Sequence, residues 1–164
     1  MMDYKDIEKK ADSLTGACSD FPIPVYGIAR KLGVKVWVAD FGELAEEYSG
    51  FCDFRKREIY LNRDDGAIRR VFTAAHELGH LLFHESHFKE KGERFAFLPR
   101  YSNAVDDSTQ ENEANLFARC LLLPRVALEP HLKERNEPSV LAAAFDVTTD
   151  LLEERRTEIV SSQE

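Results

Sequence analysis

The sequence predicts an α+β protein in which a small antiparallel or mixed sheet packs on helices and a helical C-terminal extension follows. Three observations lead there. Two-residue alternation is confined to about residues 34–62, the apolar period becomes helical from Ile68, and only short, proline-punctuated helical pieces follow Pro124. The 164 residues, 43% hydrophobic and 32% charged, suffice for a core without staples, because a chain of this size buries roughly 70% of the surface its unfolded form exposes. The expected division is a main domain over residues 1–124 with an extension over 125–164 packed on it.

The elements justify this in chain order. Tyr4, Ile7, Ala11 and Leu14 stand at helical spacing, with Gly16 as a stop. A second helix is expected from Pro22–Pro24 through Leu32, closed by Gly33, because proline suits a first turn and glycine the position after the last. Val34–Val38 alternates as a strand. Tyr48–Phe54 and Glu58–Asn62 read as a hairpin around Arg55-Lys56-Arg57 that lacks a diagnostic turn pair. Ile68, Val71, Phe72, Ala75, Leu78, Gly79 and Leu82 then define a core-facing helix over about 67–85, with Asp64 and Asp65 as cap candidates. Residues 86–106 read as a long loop, though Phe95, Phe97, Leu98 and Tyr101 suggest that it packs on something. Asp106–Leu123 is a second strong helix, and Arg125–Leu132, Ser139–Phe145 and Thr148–Val160 are shorter ones.

Charge and targeting narrow the function. Asp and Glu number 30 against 22 Lys and Arg, a net charge of −8, so a nucleic-acid surface, which needs a clustered positive field, is not expected. The opening MMDYKDIEKKADSL has neither the basic nor the apolar region of a signal peptide, and no apolar run approaches a membrane span, so a cytoplasmic protein with no membrane partner is expected. Cys18, Cys52 and Cys120 are odd in number and far apart, which fits reduced thiols.

The chemistry lies in His76-Glu77-Leu78-Gly79-His80, an HExxH on the 67–85 helix. Residues four apart share a helix face, so both imidazoles reach one ion, and Glu77 adds a base for the attacking water. His84 stands about 12 Å along the helix from His76, too far to share that ion. Phe83 and Ser86 occupy positions where a metzincin would carry Gly and His. On the next helix, Glu111 projects about 50° from the centre of the apolar face and Glu113 about 110° from it. This selects Glu111 as the third ligand and sends Glu113 to solvent. Asn115 is a candidate to orient His76 or His80. His84, His87 and Tyr101 are candidates for oxyanion stabilisation or for plain structural roles.

FTAAHELGHLLFH and ENEANLFARCLLLP, preceded by PVYGIARKLGVKV and GFCDFRKREIYLN, resemble the ImmA/IrrE family of zinc metallopeptidases over roughly residues 22–125. The resemblance implies a zincin-like fold of gluzincin type, zinc (or manganese) held by His76, His80 and Glu111, and Glu77 as catalytic base. It also implies a substrate, a helix-turn-helix repressor of the XRE type whose cleavage relieves repression of mobile-element or stress-response genes. An acidic protease suits such a basic partner, with no direct contact to nucleic acid. Substrate is expected to add as a strand along Tyr48–Phe54 or the strand beside it. Two alternatives stand: a non-catalytic zinc module that binds and displaces the repressor, and a DNA-binding regulator resting on the helix-turn-helix-like stretches 28–34 and 139–148.

Overall fold

In a computed structural model, the described residues are 2–16, 18, 21–100, 109–132 and 137–162. The fold is α+β and falls into two compact units. One spans Val25–Asn115; the other holds the described residues of Met2–Pro24 and Leu116–Glu164.

Helix α1 is Tyr4–Thr15 in the second unit, and α2 is Val25–Lys31 in the first. Gly33, at φ +72°, ends α2 in the left-handed conformation that glycine adopts without penalty. Then come β1 (Lys35–Ala39), a 3-10 turn at Gly42–Glu46, β2 (Tyr48–Asp53), β3 (Glu58–Asn62) and α3 (Ala67–Phe83). Within the stretch expected to be loop lie a short helix, α4 (Glu85–Glu90), and a fourth strand, β4 (Phe95–Pro99). The described part of α5 runs Thr109–Leu122, and the boundary between units falls after its Asn115. Tyr101 lies outside the described residues.

The sheet order is β1-β3-β2-β4, with β1 parallel to β3 and the other pairs antiparallel. Of the strands expected to take substrate, β2 is therefore interior, whereas β4 beside it is an edge, as β1 is on the other side of the described sheet. One face carries Cys52, Ile59, Leu61, Ala96 and Leu98, all buried, because alternate residues of registered strands share a face. Against it lies α3, and Gly50 sets how closely. A Cβ at that position would stand 2.5 Å from Thr73 Cγ2 and 2.8 Å from the Tyr60 carbonyl oxygen. The anticipated caps Asp64 and Asp65 do not cap α3. Its N-cap is Gly66, without a side-chain bond, while Asp65 lies 3.0 Å from the Arg100 guanidinium.

In the second unit, α1, α6 (Arg125–Leu132), α7 (Pro138–Phe145) and α8 (Thr149–Ser161) accompany the rest of α5. Their centre is Arg155 of α8, fully buried, which donates to the Tyr4 hydroxyl, the Leu123 carbonyl and the Glu8 carboxylate. Burial alone would raise the Glu8 carboxyl, but Arg155 and Arg125 more than offset this and leave it lowered. Helices α7 and α8 meet at Asp146, at φ +55°, with Thr148 capping α8. The cysteines are free thiols, Cys52 and Cys120 buried, and no described helix is long and apolar enough to cross a membrane.

Gly50→Ala should lower stability by about 1–3 kcal/mol through overpacking, read as a fall in the chemical-denaturation midpoint. Arg155→Met should cost about 1–3 kcal/mol by leaving the half-buried Glu8 carboxylate and the Leu123 carbonyl without their Arg155 donors. Because the folded Glu8 carboxyl is lowered, its contribution is fully present above its ordinary value of 4.5 and is lost as pH falls below it. Glu8→Gln should flatten that part of the stability–pH curve.

Candidate metal centre

Helical spacing places His76 and His80 one turn apart on α3, where both are fully buried. Their Nε2 atoms face one another at 3.0 Å. Glu111, on α5, brings Oε2 to 3.2 Å from His76 Nε2 and Oε1 to 3.0 Å from His80 Nε2. Among the described residues, His76, His80 and Glu111 form the one group of three or more such side chains with ligand atoms converging within 4.8 Å. His84 is not in it, as its distance along the helix requires.

The other ring nitrogens decide what these Nε2 atoms offer. His76 Nδ1 lies 2.9 Å from Asn115 Oδ1, and an amide oxygen only accepts, so the ring proton sits on Nδ1. His80 Nδ1 lies 2.9 Å from His84 Nδ1, and His84 Nε2 lies 3.0 Å from Glu113 Oε2. The carboxylate accepts from His84 Nε2–H, so His84 Nδ1 accepts from His80 Nδ1–H. Both Nε2 atoms therefore present lone pairs to each other and to a carboxylate, with no donor between them. Burial pushes the His80 imidazole down to about 4 despite the opposing pull of Glu111, which keeps it neutral at pH 7.

This donor set fits a cation. Ligands about 2.1 Å from a tetrahedral zinc stand about 3.4 Å apart, close to the 3.0–3.2 Å separations here. Two imidazoles and one carboxylate also leave a fourth position open, the pattern of a catalytic rather than a structural zinc.

Glu77 is fully buried, and among the described residues neither of its carboxylate oxygens has a hydrogen-bond partner. Burial raises its carboxyl well above the ordinary range, and the Glu111 charge adds to it. A desolvated carboxyl with a raised pKa is suited to exchanging a proton near neutral pH.

Two roles differ from the sequence expectation. Glu113 does not point to solvent but is buried against His84, and His84 backs His80. The apolar face of α5 alone does not register that His84, at the C-cap of α3, supplies Glu113 with a polar partner inside. The spacing of His84 four residues beyond His80, one turn along the helix, was the available signal. Asn115 holds His76, one of the two rings for which it was a candidate.

The family model of the IrrE N-terminal-like domain, peptidase M78, matches residues 29–157. A comparison with curated protein sequences returns no significant match. Ten solved chains match in fold. One is a Mycobacterium tuberculosis transcriptional regulator, 16% identical, with a TM-score of 0.59, over 90% of this chain and 44% of that one. The chain thus spans less than half the length of that protein.

If Glu113 and His84 fix His80 as a neutral donor, Glu113→Gln and His84→Phe should each weaken metal affinity about 10–100-fold. Competition against a chromogenic chelator measures this directly.

Proposed function

The chain belongs to the IrrE N-terminal-like peptidase family, and on that premise we propose a zinc-dependent endopeptidase that cleaves a helix-turn-helix repressor of the XRE type at a specific site. The released genes would be those of mobile elements or of a stress response. One observation carries the reading: a buried Glu77 carboxyl with no hydrogen-bond partner among the described residues stands next in sequence to His76, in a centre where His76, His80 and Glu111 converge.

In the proposed chemistry, His76 Nε2, His80 Nε2 and a Glu111 oxygen hold the ion, zinc or manganese. When bound, the ion polarises the scissile carbonyl and lowers the pKa of the attacking water. Glu77 takes the proton from that water as the new C–O bond forms. It then gives the proton to the leaving amine as the C–N bond breaks, so it ends in the state in which it began. Asn115 and the His84–Glu113 pair hold the two rings in register throughout. Substrate would add along the open edge of β4 rather than along interior β2, accepting backbone hydrogen bonds as an extra strand.

The acid surplus, net charge −8, supports a basic substrate such as a DNA-binding repressor and speaks against the chain itself binding a promoter. A non-catalytic module would have no use for the buried base at Glu77.

Glu77→Gln should retain metal yet cleave the repressor about 10²–10⁴-fold more slowly, with fragments followed by mass spectrometry. Glu111→Gln should lose metal and activity together. Equal derepression by wild type and Glu77→Gln in cells, or intact repressor after incubation with the metal-loaded wild type, would refute the peptidase reading.

A further inference from the structure

The sheet face opposite α3 carries aromatic side chains that the proposed catalysis does not use. Register places Trp37, Tyr60, Phe51 and Phe97 side by side on β1, β3, β2 and β4, so one aromatic residue from every strand forms a row across the sheet. Phe51 is its centre, stacked on Tyr60 at 4.8 Å and 5.2 Å from Phe97, with Phe41 and Phe95 also against it. Tyr48 adds to the Phe97 end at 5.1 Å. The row is open to solvent: Trp37 is 48% exposed and Phe97 41%, and the rings between them are half-buried. At the β1 edge it runs into a groove of about 520 Å³ lined by Tyr26, Arg30, Val36, Trp37 and Val38. Scattered exposed apolar residues are ordinary, but a continuous patch of this kind marks an interaction surface.

Length and charge describe what it fits. Four strands at about 4.8 Å spacing give a row about 14 Å long, the span of about ten helical residues at 1.5 Å each. Two cations of this sheet region have acidic partners within the protein: Lys35 lies 3.8 Å from Glu58, and Arg94 is paired to Asp53. Beyond it, the β2–β3 hairpin presents Arg55 and Lys56, both exposed and without an ion pair among the described residues. We infer that this face docks an amphipathic helix of a partner protein, its apolar stripe lying across Trp37, Tyr60, Phe51 and Phe97 and its acidic flank turned to Arg55 and Lys56. Rings packed on one another form a mat for apolar side chains rather than the separate platforms on which single-stranded bases stack. This face is separate from the cleavage chemistry, so it can be tested with that chemistry disabled.

Trp37 is the chain's single tryptophan and lies in the row, so its emission reports occupancy. The full chain carrying Glu77→Gln is titrated with two helical peptides that share one leucine stripe, one flanked by glutamates and the other by lysines, and with an oligo-dT strand. The glutamate peptide should shift Trp37 emission to the blue, saturate, and bind about tenfold or more tighter than the lysine peptide. Phe97→Asp should abolish the shift. Arg55→Glu with Lys56→Glu, which touches no packed side chain, should reverse the preference and keeps the test decisive if Phe97→Asp misfolds. No shift with either peptide, equal binding of both, or preferential binding of oligo-dT would overturn the inference. So would a dimer in sedimentation that Phe97→Asp dissolves, since the occupant would then be a second copy of the chain.

Discussion

Two imidazole nitrogens facing each other with their lone pairs, 3.0 Å apart, are the constraint around which the first unit is arranged. Such a pair is unfavourable unless a positive charge lies between or beside it, and it persists only if each ring is held from behind. One ring is held by an amide on α5, the other by the histidine that caps the C-terminus of its own helix and is itself held by a carboxylate on α5. The same helix delivers the third donor, Glu111. Three residues at odd positions, 111, 113 and 115, thus do separate jobs within about one and a half turns. A shift of α5 by one residue would disturb all three together.

The sheet serves this arrangement by fixing α3. Cys52, Ile59 and Leu61 provide a flat apolar floor, and Gly50 lets the Thr73 side chain approach the backbone of β2. Burial of that helix face is also what strips water from Glu77. The price of a dry carboxylate is met by the packing of α3 as a whole, in keeping with functional sites that locally break the rules which stabilise the rest of a fold.

The metal-binding constellation was legible because helices make it so: HExxH is a statement about one helix face, and Glu111 projects from the next helix toward its core. Glu113 was not, since its partner His84 comes from another helix and a single-helix projection cannot register it. Strand β4 escaped for a different reason. Phe95, Ala96, Phe97 and Leu98 are apolar in both parities because one parity meets the α3 side and the other joins the aromatic row, so the alternation that identifies a half-buried strand is absent. Asp65 had the chemistry of a cap, but the Arg100 guanidinium claims it. Sequence patterns register what a residue does within its own element and lose what a distant element does to it.

The origin of the three donors has a consequence for how the protein responds to its surroundings. His76 and His80 stand on α3 and Glu111 on α5, so an ion held by all three would bridge two helices. A ligand that binds only the docked arrangement of those helices draws the equilibrium toward it. Ion supply and the docking of this part of α5 on α3 are therefore thermodynamically linked, and a chelator would act on the fold of the first unit as well as on its chemistry.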